Sequence, residues 1–221
     1  MKKKILIVGG TGFIGFHLTK YCMSKKFDVT CISTKPPNKL RKVKKVNYIY
    51  VDISDKKKLQ KKIKSRYNYV VNLGGYVDHS NIKKTYNSHF IGCKNLYSVV
   101  KHAKLKLFVQ MGSGLEYGKN ISPLKESFVC KPNANYGRSK YLSTKFLIKK
   151  YKEEKFPVVI FRLFQAYGPN QSINRLIPIT INSCLKGGKF SCTSGNQFRD
   201  FIFIDDVINA IYLSFYKKKV I

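Results

Sequence analysis

Lys3-Lys4-Ile5-Leu6-Ile7-Val8-Gly9-Gly10-Thr11-Gly12-Phe13-Ile14-Gly15 is the stretch that decides the fold of this chain. Its first six residues read as a buried parallel strand. The strand empties into glycines at 9, 12 and 15, and a helical pattern follows. A strand that turns through glycines into a helix N-terminus makes an anion site, because free backbone N–H groups and the positive end of the helix dipole converge on a pyrophosphate. Gly9 permits the tight turn, Gly12 lets the backbone approach the phosphates, and Gly15 lets the helix pack close to the strand. With Thr11, Phe13 and Ile14 these glycines are the expected cofactor contacts. The plainer alternative is a structural turn in an α/β protein.

Outward from that turn, strands and helices alternate. The pattern predicts strands at 3–8, 27–33, 46–51, 69–73, 105–111 and 157–163. Helices are expected at about 13–25, 55–66, 81–102 and 134–152, with Ser54 or Asp55 capping the second. This alternation implies a doubly wound α/β fold, a parallel sheet with helices on both faces. After Pro169 the rhythm breaks into a helix near 173–186, strands near 189–193 and 199–203, and a last helix at about 205–216. The expected organisation is a Rossmann domain over 1–168 and a reduced C-terminal substrate lobe over 169–221.

At 221 residues with 43% hydrophobic content, the chain can bury a sizeable core. No stretch approaches the ~20 apolar residues of a membrane helix, and the N-terminal apolar run is a strand rather than a leader, so a cytoplasmic location is expected. The six cysteines show no Cys-x-x-Cys spacing and no paired histidines, so neither a metal site nor disulfides are expected. The net charge is +32, yet only six of the 43 basic residues are arginine. Lysines are spread over most helix surfaces, including 56–58, 145, 149, 150, 152 and 217–219. Alongside abundant Ile, Asn, Tyr and Phe, they read as the codon bias of an AT-rich genome. The sequence has no basic stripe interleaved with aromatics, which argues against nucleic acid as a partner.

The chemistry falls on Ser113, Tyr136 and Lys140. Tyr136-Gly137-Arg138-Ser139-Lys140 sets a phenol and an ammonium one turn apart on one helix face. Such an ammonium should draw the tyrosine pKa down from about 10, fitting it for proton transfer at a sugar hydroxyl or carbonyl. Ser113 lies at the end of the fifth strand, on the carboxyl edge of the sheet where ligands bind. Its hydroxyl can hold the reacting oxygen.

With these motifs together, the whole chain resembles the extended short-chain dehydrogenase/reductases, the NAD-dependent epimerase/dehydratase family of nucleotide-sugar enzymes. Further segments match. Asp52-Ile53-Ser54-Asp55 resembles the adenine-contacting segment, and Asn72-Leu73-Gly74-Gly75 resembles the strand end that lies along the cofactor. Arg162 to Pro169 resembles the segment between nicotinamide and substrate, and Arg199 to Val207 resembles the Arg-Asp-Phe…Asp-Asp-Val signature. The resemblance implies cofactor contacts at Ser33, Lys35, Asp52, Ile53, Leu73, Gly74, Gly75, Tyr136 and Lys140. It also implies substrate contacts at Glu116, Gln165 and Arg199, a nucleotide-diphosphate sugar as substrate, and a homodimer through the helices at 81–102 and 134–152.

Departures from the family pattern refine the reading. The place of the strand-two acid falls on Ser33, with Lys35 nearby, so NADP is favoured over NAD. Gly114-Leu115 stand where family dehydratases carry Asp-Glu, which argues against 4,6-dehydration and for an epimerase or ketosugar reductase. His89 replaces a common Asn and reads most simply as a core histidine. The chain stops at Ile221, earlier than the family pattern, which keeps open an alternative: a truncated, non-catalytic NAD(P)-binding protein that acts as sensor or scaffold.

Overall fold

β1 (Lys4–Val8) and its neighbours form a six-stranded sheet, seen in a computed structural model that describes residues 2–64, 66–76, 78, 80–101 and 105–216. His102 at the end of the expected third helix, and the lysines at 217–219, lie outside the described residues. The other strands are β2 (Asp28–Ser33), β3 (Asn47–Tyr50), β4 (Tyr69–Asn72), β5 (Leu107–Met111) and β6 (Val158–Phe161). All pairs are parallel, and the spatial order is β3-β2-β1-β4-β5-β6. This is the doubly wound Rossmann order. The winding reverses between β1 and β4, and a ligand crevice opens at the carboxyl ends of those two strands.

Alternating side chains of each strand feed two cores, one per face. Ile5 and Ile7 of β1 join Leu18 and Cys22 of α1 (Phe13–Ser24) and Ile208 and Ile211 of α7 (Ile204–Ser214). Leu6 and Val8 join Leu59 of α2 (Lys56–Lys62), Leu96 of α4 (Gly92–Val100) and Leu147 of α5 (Asn135–Glu154) on the other face. Strands buried on both faces read as continuous apolar runs. That is why Ile5–Val8 was legible. Asp55 caps α2 by accepting a hydrogen bond from the Lys58 amide at 3.0 Å. The expected helix at 81–102 is α3 (Ile82–Tyr86) continued through a π turn (Asn87–Ile91) into α4.

Two expectations beyond β6 need correction. No strand forms near 189–193; residues 186–200 have no regular secondary structure. A segment with no partner for its ladder has nothing to hold it extended. Conversely, β6 ends at Phe161, and a separate strand, β7 (Gln165–Tyr167), pairs in parallel with β8 (Phe201–Phe203). Between them lies α6 (Leu176–Leu185).

Candidate active site

The glycine turn is built as its sequence demands. Gly9 has φ +80°, and a side chain on Gly15 would place its Cβ 2.1 Å from the Gly9 carbonyl oxygen. Gly12 is the N-cap of α1 and brings no side-chain oxygen to its first-turn amides, which are left for an anion. Thr11 is tied to the end of β2: its Oγ1 lies 2.7 Å from Ser33 Oγ, and its amide donates to the same oxygen at 3.3 Å. A cavity of about 540 Å³ opens beside the turn, lined by Ser33, Lys35, Asp52, Ile53, Gly74 and Gly75 among others. Asn95 steadies its floor by donating to the carbonyls of Ile53 and Ser54 at 3.0 and 2.8 Å. The turn, the open amides and the adjoining cavity fit the adenosine and pyrophosphate of a dinucleotide. Asp52 is a carboxylate at this cavity, contributed by the segment after β3 rather than by β2.

A second cavity of about 780 Å³ meets the first at Gly9, Gly12 and Leu73. Phe13, Ile14 and Gly15 line it, and Gln165 and Arg199 reach it from the β7–β8 side. Arg41 and Arg175 also line it, so half of the chain's six arginines meet at one cleft. Sequence reading missed Arg175, and the scarcity of arginine was the available signal. Guanidinium forks suit phosphates and carboxylates.

Ser113, Tyr136 and Lys140 come together as expected. Ser113 follows the end of β5 and is buried, its amide held by Glu116 Oε1 at 2.8 Å. Tyr136, in the first turn of α5, shares a hydrogen bond with the Ser113 side chain. The buried Lys140 donates to the Met111 carbonyl at 2.8 Å and lies 5.8 Å from the centre of the Tyr136 ring. His89 packs edge-on against that ring, with centroids 5.1 Å apart, and its Nε2 lies 3.3 Å from the Tyr76 carbonyl oxygen.

Two expectations change here. Burial pushes the Tyr136 pKa up. The Ser113 hydrogen bond and the Arg175 charge pull it down, while the Glu116 charge adds to the rise. The expected lowering by Lys140 is not seen: that ammonium is turned to the Met111 carbonyl, and desolvation of the phenolate outweighs the rest. Lys140 itself is drawn down to about 8 by burial, against the opposing charges of Glu116 and Cys93. Glu116, expected to touch substrate, is fully buried. Its carboxylate holds the Ser113 amide and lies 3.4 Å from Arg162 Nε, beneath the loop rather than in the cleft. The short turn Gly114–Glu116 closes a capping box that points it inward.

Residues 5–220 match the family described as NAD dependent epimerase/dehydratase family. A dTDP-D-glucose 4,6-dehydratase of Dictyostelium discoideum is 31% identical over 94% of this chain and 54% of its own length. The chain therefore spans about half the length of that relative. A UDP-glucuronic acid 4-epimerase from Bacillus cereus, solved with UDP-glucuronic acid and NAD, is 26% identical with a TM-score of 0.84, covering 99% of this chain and 74% of that one. A UDP-glucose 4-epimerase from Thermotoga maritima, solved with UDP-glucose, superposes with a TM-score of 0.90 at 22% identity, over 97% of this chain and 74% of its own. At that identity the likeness speaks to the fold. No described helix is long and apolar enough to cross a membrane.

Proposed function

This chain belongs to the NAD dependent epimerase/dehydratase family, and from that premise we propose that it carries out redox chemistry on a sugar linked to a nucleoside diphosphate, as an epimerase or ketosugar reductase. The observation that carries this reading is the cluster of Ser113, Tyr136 and Lys140 beside the sheet's switch point. Bound NAD(P) would supply the hydride acceptor or donor, held by the glycine turn, the Ser33–Lys35 edge and Asp52. Tyr136 moves the proton at the sugar oxygen. Ser113 shares that oxygen through its hydroxyl and keeps the phenol oriented. Lys140, anchored on the Met111 carbonyl, holds the ribose. Arg199 and Gln165 receive the sugar nucleotide, and 169–221 supplies part of the substrate lobe.

Epimerisation or ketoreduction is favoured over 4,6-dehydration because Gly114-Leu115 carry no acid and the nearest carboxylate, Glu116, is buried against Ser113 and Arg162. The likeness to a 4,6-dehydratase makes this a direct question for experiment. Purified protein is incubated with UDP-, dTDP-, GDP- and CDP-sugars and either cofactor, and products are resolved by NMR. A C4 epimer or a reduced ketosugar is expected. A 4-keto-6-deoxy product would overturn the preference, and failure to bind any sugar nucleotide would favour a non-catalytic cofactor-binding protein. Comparing NADH and NADPH affinity tests the missing acid at Ser33, with tighter NADPH binding expected.

A further inference from the structure

The adjacent strands β4 and β5 each carry one buried side-chain amide. Asn72 is 1% exposed and Gln110 is 2% exposed, and the two are register partners. A buried amide is tolerated only where its hydrogen bonds are made, so its partners show what it is for. Asn72 Nδ2 donates to Gln110 Oε1 at 2.8 Å. Gln110 Nε2 donates to the Met111 carbonyl at 3.1 Å, the same oxygen that receives Lys140 Nζ at 2.8 Å. At the other end, Asn72 Oδ1 accepts from the Gly74 amide at 3.2 Å, and Gly74 lines the adenosine-side cavity. An unbroken hydrogen-bonded chain thus runs from the cofactor edge of β4 to the anchor of Lys140.

We propose that the Asn72–Gln110 pair is a positioning device for Lys140, holding the carbonyl that anchors its ammonium and tying that anchor to the cofactor-side turn at Gly74. The proposal rests on the reading that Lys140 grips the cofactor beneath Tyr136. A carbonyl oxygen offers two lone pairs; here one meets Gln110 and the other Lys140. Without the Gln110 amide the carbonyl becomes a stronger acceptor for the ammonium, which is pulled down toward Met111 and away from the ligand. The groups facing Lys140 are Glu116 from the turn after β5, Cys93 from α4 and Tyr136 one turn earlier on α5. With a pKa of about 8, the ammonium is charged below that pH and loses its charge above it.

The test is fluorescence titration of the full chain with NADH at pH values spanning that midpoint, with melting temperatures measured in parallel. In the native protein, affinity falls as pH rises through about 8, and Lys140→Met binds weakly with no such step. Gln110→Met leaves Asn72 Nδ2 buried without its acceptor, so Tm falls; affinity at neutral pH drops by about fivefold and the midpoint moves up. Asn72→Leu/Gln110→Met removes both amides but leaves the Gly74 amide and the Cys93 thiol without their acceptors, so Tm recovers in part while the weaker affinity and raised midpoint persist. A double variant with native affinity and native midpoint overturns the proposal, because the pair then only packs. Native NADH affinity in Lys140→Met overturns the reading beneath it, and the proposal with it.

Discussion

Helices α1 and α6 are similar in length and both rich in apolar residues, yet α1 buries Gly15, Phe16, Leu18, Thr19 and Cys22 while α6 buries no residue at all. Leu18 is fully buried; Leu185 is 83% exposed. The first helix crosses from β1 to β2 and must lie on the sheet. The second links β7 to β8, a two-stranded ladder too small to cover it. The comparison separates what local sequence can do, which is form a helix, from what burial needs, which is an apposed surface. It also divides the cleft: the side we assign to the cofactor is built on packed elements, and the side we assign to the substrate stands on exposed ones.

The largest effect is expected at the junction of the two sides. Tyr136→Phe should lower kcat by about 10²–10⁴-fold while NADH binding, which belongs to the packed side, stays near native. A loss of both together would erase the division. The two helices can then be compared directly by urea unfolding. Leu18→Ala should cost about 2–5 kcal/mol through the cavity it leaves, and Leu185→Ala should stay within about 0.5 kcal/mol; equal costs would mean that α6 is covered in solution. Arg175→Met should raise KM for the sugar nucleotide by about tenfold, the loss of one charge-assisted contact, with a smaller change in kcat because the Arg175 charge also draws the Tyr136 pKa down. A change confined to NADH affinity would move Arg175 to the other side of the cleft. A modest effect lies within the packed half: Asp55→Ala uncaps α2, visible as a slightly lower urea midpoint with unchanged slope.

Much of the packed half was legible. Its apolar runs, glycines at fixed spacing and the Tyr-Lys pair one turn apart are local patterns, and each appears where it was read. The β7–β8 ladder was not, because Gln165 and Phe201 are partners across a segment whose residues give no pairing signal. The strand expected at 189–193 has apolar content but no neighbour. Glu116 lies one residue away from a family acid and so read as a substrate contact, but the capping box with Ser113 turned it inward. In the sequence Asn72 reads only as part of the strand end along the cofactor and Gln110 is not singled out; their hydrogen bond appears only once β4 and β5 lie side by side.

Local sequence thus specified most elements of the main sheet, the glycine turn and the placing of Tyr136 and Lys140 one turn apart, since these depend on neighbours within a few residues or on one helix face. Only the tertiary structure decided strand order, the meeting of Arg41, Arg175 and Arg199 at one cleft, the inward turn of Glu116, and the upward shift of Tyr136 against the downward shift of Lys140. The physical reason is that pairing, burial and desolvation are properties of surfaces brought together across long chain separations.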